Sequence, residues 1–337
     1  MEFLARKVVA VKRKSKVLSA LIFLAAGIFL LIASNFVDEL RVYQGAQVGV
    51  YVIAISSIIL LTGYSGQISL GHGALMAIGG YAAVLSYTHW HVPVLIAFII
   101  GSFAAALAGF ILGLAAARLS GPYLAGTTLA LAVSLPSLAN QFHFLGGEQG
   151  LSFDIGEAPK WIANRTGGEF TQYKWFFWIS TVCAITTIWF IKNLLQSRFG
   201  RTWKAVRGNP SAAALSGINI GRSKVLAFSV SSALAGLSGA LLAMLLGLVA
   251  PMAFTLTLSF TIVTGAVLAG VTNLAGSIVG ALVLVVIPEL TDVVATHLGG
   301  SEKISANLPG LITSVLLILT VLFAPNGPQL HKRKRVG

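Results

Sequence analysis

The chain has 337 residues, of which 56% are hydrophobic and only 10% charged, against about a quarter charged in a soluble domain. That balance excludes a soluble globular protein and leaves an integral membrane protein with length for many spans in one domain. The net charge of +13 raises nucleic acid as a partner, but the cations lie between and beyond apolar runs, as orientation signals do, and no soluble basic patch with interleaved aromatics is present.

Residues 1–16 form a basic tail with Arg6, Lys7, Lys12, Arg13, Lys14 and Lys16. The apolar run that follows is longer than a signal-peptide core and lacks a clear small-x-small cleavage site, so it reads as a retained span. A span needs roughly 20 apolar residues. The candidates are 17–36, 43–62, 70–88, 94–117, 123–139, 173–195, 225–249, 254–271, 276–295 and 305–324. The third, fifth and eighth are short or rich in Gly and Thr, and any of them could be broken or re-entrant. The expectation is an all-α polytopic membrane protein of about ten transmembrane helices, some broken or re-entrant. A membrane domain then covers 17–324 and a second basic tail 325–337.

Charge tests the count. With the N-terminus inside and sides alternating, Arg41, Lys160, Arg165, Lys174 and Lys303 are the cations left outside, and Glu2 is the one acid left inside. An odd number of spans before the central basic loop would scatter cations on both faces. The partition supports six spans before that loop and both termini in the cytoplasm.

Gly63-Tyr64-Ser65-Gly66-Gln67-Ile68-Ser69-Leu70-Gly71-His72-Gly73 interrupts an apolar region with polar side chains and glycines. Irregular backbone at membrane depth survives only when buried in protein or lining a wet cavity. Tyr64, Ser65, Gln67, Ser69 and His72 are therefore candidates for a translocation path or gate. Close helix packing is the competing reading, and the favoured one for the glycines. A metal role for His72 lacks a second ligand at suitable spacing.

The fifth span adds Thr127, Thr128, Ser134 and Asn140, with Pro136 expected to kink it. Substrate contact by Thr127 and Thr128 competes with back-bonding to their own helix. Residues 140–172 form one long external loop containing Gly146-Gly147-Glu148, Pro159, Trp161 and Gly167-Gly168. It is either a plain connector or a landing surface for an extracytoplasmic partner. The single Cys183 lies in an apolar run, which leaves no internal disulfide and no cysteine metal cluster.

The central loop, 197–224, carries Arg198, Arg201, Lys204, Arg207, Arg222 and Lys224 with no acid, and should stay cytoplasmic. Asn209-Pro210 is a helix-start signal, Ser211 to Ser216 favours a short helix, and Gly217 is placed to end it. A weak internal echo links Leu61-Thr62-Gly63-Tyr64-Ser65 to Leu268-Ala269-Gly270-Val271-Thr272, followed by Gly73-Ala74 and Gly280-Ala281 respectively. Glu289 follows Pro288 near the external rim, and reads as a hydrated acid rather than a proton relay.

These motifs carry a resemblance. Gly63-Tyr64-x-Gly66-Gln67-x-Ser69-Leu70-Gly71-His72 resembles the signature of branched-chain amino acid permeases of ABC importers. Gly121-Pro122-Tyr123-Leu124-Ala125 with Thr128-Leu129-Ala130 is similar to that family's fifth-span region, and Leu145 to Leu151 to its external Gly-Gly run, with Leu145 for Thr. Phe199-Gly200-Arg201, Ala205-Val206-Arg207 and Gly217-Ile218-Asn219 match its coupling loop. There Ser211-Ala212-Ala213 and Gly217 resemble a Glu-Ala-Ala-x-x-x-Gly motif, while Gly208, Asn209, Ser211 and Ser216 stand where the family usually has acids. Gly270 to Ser277 stands at the family's Gly-Gly-x-Gly-Ser turn, departing from it at Thr272 and Asn273, and Pro288-Glu289 and Leu322-Phe323-x-Pro325-x-Gly327 also fit. The resemblance runs over about residues 43–328 and is greatest to the larger permease of the usual pair.

The resemblance implies a bacterial inner-membrane importer subunit for leucine, isoleucine, valine or related aliphatic amino acids. Its partners would be a second homologous permease, two cytoplasmic ATPases and an extracytoplasmic binding protein. Gly200, Arg201, Arg207, Ser211, Ala212, Ala213 and Gly217 would couple to the ATPase, moving a helix over 211–217. No cofactor is expected in this chain; ATP and magnesium would sit in the partner subunits, and no phosphate-loop motif occurs. Urea and short amides are alternative cargoes. A stand-alone ion-coupled transporter would need buried ionisable residues in the spans, of which there are almost none, and a membrane enzyme a catalytic cluster, which the sequence does not offer.

Overall fold

The computed structural model describes residues 27–119, 121–154 and 171–297, with a few further positions near either end. The two basic tails, the first part of the first expected span, most of the last, and Pro159, Trp161, Gly167 and Gly168 lie outside the described residues. Each of the eight remaining expected spans holds a helix. They are α1 (Glu39–Ile58, extended by a π-helix Ile59–Tyr64), α2 (His72–Trp90), α3 (Val94–Arg118), α4 (Pro122–Gln141), α5 (Gln172–Gln196), α8 (Ile220–Leu246), α9 (Leu256–Ala269) and α10 (Gly276–His297). Two short helices, α6 (Arg198–Gly208) and α7 (Pro210–Leu215), fill the central loop. Among the described residues six helical segments are long and apolar enough to cross a membrane.

The long α8 is the pillar of the bundle, packed against α1, α2 and α3. Small residues let it approach so closely. A Cβ on Gly239 would run into the backbone of Met76 on α2, the close-contact device of membrane helix pairs. Serines stitch the same interfaces: Ser238 Oγ donates to Val50 O at 2.8 Å, and Ser102 Oγ to Ala233 O at 2.8 Å. With lipid as apolar as Leu, such packing and hydrogen bonds, rather than hydrophobic burial, hold the helices together. Phe103, Phe110 and Ile111 of α3 point outward, as lipid-facing side chains do.

Breaks stand just before two of the three spans flagged as irregular, while all three helices are themselves continuous. Residues 66–71 are non-helical before α2, and a 3₁₀ turn over Pro251–Phe254 precedes a short α9. The third, α4, runs helical through Pro136. One small departure from an all-helical fold accompanies the interruptions. Leu151–Ser152 (β1) pairs antiparallel with Leu248–Val249 (β2), because backbone groups that leave a helix need partners elsewhere.

The turns gather at two ends. At one, Tyr64 Oη donates to Thr272 O at 2.7 Å, and Lys224 Nζ caps the end of α3 through Ala116 O and Leu119 O at 3.1 and 3.2 Å. This basic end also carries α6 and α7. At the other, β1 and β2 meet and the Tyr87 ring lies 6.0 Å from that of Phe153. The two sequence-echo turns are thus neighbours, and Ser56 Oγ donates to Ser277 Oγ at 3.0 Å beneath them.

Candidate functional site

The π-helix that ends α1 and the break after it form a polar knot buried near the basic end. π-helical turns are uncommon and recur at functional sites. Gly66 turns the chain at φ +74°, a conformation that favours glycine. The freed backbone is then satisfied piece by piece. Gln67 N donates to Leu61 O at 3.2 Å, and Thr62 Oγ1 to Gln67 O at 3.1 Å. Leu70 N donates to Thr128 Oγ1 at 3.0 Å, and Gly73 N to Ser259 Oγ at 2.9 Å.

Ser65, Gln67, Ser69 and His72 are all buried in this knot. Gln67 Nε2 donates to Ser65 Oγ at 2.6 Å and to Lys224 O at 3.4 Å, while Gln67 Oε1 is buried without a protein partner. His72 is wedged between Ser231 Oγ, 3.1 Å from Nε2, and Ser69 Oγ, 3.3 Å from Nδ1. Ser231 spends its hydroxyl proton on Ser57 O at 2.7 Å, so it accepts from the ring. That places the proton on Nε2 and leaves Nδ1 to accept from Ser69. His72 is therefore a peg joining the break to α8 and, through Ser231, to α1.

Thr127 and Thr128 part company. Thr128 is buried and serves Leu70 as well as its own helix, bonding back to Ala125 O at 3.0 Å. Thr127 is exposed on α4 and bonds back to Leu124 O at 2.9 Å. Tyr64 stands apart from the knot at the rim of the basic end, with Lys204 Nζ 5.5 Å from its ring centre. Among the described residues no three His, Cys, Asp or Glu side chains converge as metal ligands would.

Beside the knot lies the helical pair of the central loop. The expected short helix forms as α7: Asn209 Oδ1 accepts from Ala212 N at 3.0 Å, and Pro210 takes the first helical position. Gly217 closes it at φ +81°, with Ile218 N donating to Ala213 O at 3.0 Å and Gly217 N to Ala214 O at 2.9 Å. That is the double hydrogen bond of a Schellman cap. Ala213 is buried, whereas Ser211, Ala212 and Leu215 are exposed, Leu215 to 91%. A Cβ on Gly217 would meet nothing within 4 Å, so this surface is open.

The helix α6 was not among the expected elements. Its signal was present, since Phe199, Trp203 and Val206 recur at helical spacing. Gly200, Trp203 and Val206 are its buried face, and Trp203 Nε1 donates to Ser223 O at 3.0 Å. Gly200 rests on the backbone of Leu195, and Arg201 Nη1 donates to Gln196 O at 3.1 Å, tying α6 to the end of α5. Arg207 reaches the knot: its guanidinium donates to Gly63 O, the penultimate residue of the π-helix, and its side chain covers Gly66. The sequence reading placed Arg207 in the loop but did not see this contact. Nor did it single out Ser231 and Ser259, or see what Lys224 bonds, because nothing in their spacing pointed to a partner.

Residues 42–322 match the family model described as Branched-chain amino acid transport system / permease component. The high-affinity branched-chain amino acid transport system permease protein LivM of Escherichia coli K12 is 30% identical over 263 residues, covering 72% of this chain and 61% of that protein. The high-affinity branched-chain amino acid transport system permease protein LivH of Salmonella typhimurium is 28% identical over 204 residues, or 59% of this chain and 58% of LivH. A probable LivM of Methanocaldococcus jannaschii is 26% identical over 234 residues, covering 66% of this chain and 65% of its own length. The matches thus take in less than two thirds of each relative's length. No solved structure matches the chain.

Proposed function

As the chain belongs to the branched-chain amino acid transport permease family, we propose that it is one transmembrane half of an ATP-driven importer. Its cargo is leucine, isoleucine or valine, or a related aliphatic amino acid. The basic end faces the cytoplasm, with both termini on that side. There α7 seats on an ATPase subunit through Ser211, Ala212 and the open surface at Gly217. A second, homologous permease completes the path, and an extracytoplasmic binding protein delivers cargo at the opposite face.

The observation that carries this reading is the Arg207 bond to Gly63. It joins the central-loop helices to the end of a π-turn in a buried helix. When the ATPases close on ATP, α6 and α7 move together because Asn209 joins them directly, its N–H bonding Ala205 O and its side chain capping α7. Arg207 then pulls on the π-turn, and the Ser65–His72 knot rearranges beside the path. The exposed hydroxyls of Thr127, Ser134 and Ser137 on α4 support covering of that face by the second permease, since polar groups at membrane depth favour a bundle interior over lipid.

The test is uptake of labelled leucine into proteoliposomes holding the complete assembly. Uptake is expected only with ATP, the ATPase and the binding protein, with competition by isoleucine and valine and none by urea or acetamide. Gly217→Asp should abolish both ATPase co-purification and uptake. Uptake driven by an ion gradient without the ATPase would overturn the proposal.

A further inference from the structure

The first turn of α8 is a second meeting point between the foothold formed by α6 and α7 and the rest of the bundle. Ser223 O accepts from Trp203 Nε1 of α6 at 3.0 Å. The next residue, Lys224, is engaged at both ends. Its carbonyl accepts from Gln67 Nε2 of the break at 3.4 Å, and its ammonium donates to Ala116 O and Leu119 O at 3.1 and 3.2 Å. Those carbonyls close the C-terminus of α3, where acceptors without helical partners and the negative end of the helix dipole favour a cation. Lys224 thus joins the break to α3, one residue from the point that α6 grips.

The helix α4 begins just beyond this joint. Leu119 stands two residues before Gly121, which opens α4 at φ +58° with nothing within 4 Å of the place a Cβ would occupy. A glycine so placed leaves the junction unbraced by its own side chain. The helix itself is lightly held, with Leu124, Thr128, Ala132 and Ala139 as its buried residues. Its inner side meets the break, where Leu70 N donates to Thr128 Oγ1 at 3.0 Å. Its outer side carries the exposed hydroxyls of Thr127, Ser134 and Ser137. A line of contacts therefore runs from Trp203 through the first turn of α8 and the Lys224 ammonium to the end of α3, where α4 starts.

We infer that Lys224 is a positioning residue: it sets the angle of α4 relative to the foothold, and carries foothold movement toward the path along a line separate from Arg207. The inference rests on the transport reading above. An ammonium suits the task, because three donors on a flexible stem keep both carbonyls in reach while the first turn of α8 shifts. Methionine fills a similar space and offers no donor.

Amide hydrogen exchange in the full-length chain in detergent tests the joint. In Lys224→Met, exchange should rise about tenfold across the last turn of α3 and the first turns of α4, while α10 keeps its rate. Lys224→Arg keeps a cation with several donors and should restore most of the protection. Arg222→Gln, an exposed cation two residues away, should leave both helices unchanged. In the reconstituted assembly, Lys224→Met should lower the cargo imported per ATP by a similar factor with ATPase co-purification intact. Combined with Arg207→Ala, the two losses should multiply. Unchanged exchange in α4, or an equal rise in Arg222→Gln, would overturn the joint. Faster exchange with an unchanged import ratio would make Lys224 a plain helix cap and overturn the relay. A double variant no worse than Arg207→Ala would overturn the separate line. A melting curve checks the fold; should Lys224→Met melt far lower, Lys224→Gln, with neutral donors on a shorter stem, supplies the same comparison. An unaltered assembly that imports nothing would sink the transport reading, and the exchange rates would still decide the joint.

Discussion

Replacing Arg207 with alanine removes a side-chain hydrogen bond that ties the central-loop helices to the π-turn, the bond to Gly63 O. A charge-assisted hydrogen bond is worth about 1.5–3 kcal/mol where water is excluded. Arg207 is exposed along much of its length, and screening there trims the figure to about 1–2 kcal/mol. At about 1.4 kcal/mol per tenfold, the coupled arrangement should lose roughly five- to thirtyfold in population. The readout is cargo imported per ATP hydrolysed by the reconstituted assembly. That ratio should fall by a similar factor, while ATPase co-purification stays at the level of the unaltered chain. Arg207→Lys keeps the charge but loses the planar fork, and should fall between the two. An unchanged ratio in Arg207→Ala would refute the reasoning. So would loss of ATPase co-purification, which would make Arg207 a partner contact and not a transmission link.

Two further substitutions probe the parts that the link connects. Trp203→Ala empties a site that is 2% exposed and removes the bond to Ser223 O, at a cost of about 3–5 kcal/mol. Limited trypsin digestion should then cut faster at Arg198, Arg201 and Arg207, and an unaltered cutting rate would show that α6 is held by other contacts. His72→Ala leaves a void between Ser69 and Ser231 and strips both serines of their ring partner, costing about 2–4 kcal/mol. The melting temperature in detergent should drop, with partial recovery in His72→Asn; no drop would mean that the peg is dispensable.

Legibility followed the range of the interaction. The cap at Asn209, Pro210 in the first turn and the closing Gly217 were readable because each acts on backbone within a few residues. The helix positions among the described residues were readable for the same reason, since about 20 apolar residues declare a helix without knowledge of its neighbours. Thr127 and Thr128 show where this stops. They are adjacent in the chain but about 100° apart around α4, and only packing against the break decides that Thr128 turns in. The α6 helix was legible in principle from Phe199, Trp203 and Val206, but the density of basic residues made it read as loop.

The sequence by itself determined the solvent, because its residues are too apolar for water, and the local turns and caps, because backbone geometry sets them. It also marked the stretch from Gly63 to Gly73 as unable to face lipid. Only the tertiary structure decided where the orphaned backbone of that stretch finds partners. Ser231, Ser259, Thr128, Lys224 and Arg207 come from four different helices, and each looks ordinary in its own segment. A hydrogen bond between distant residues leaves no trace in the spacing of either one, so the joint between foothold and knot exists only once the helices have packed.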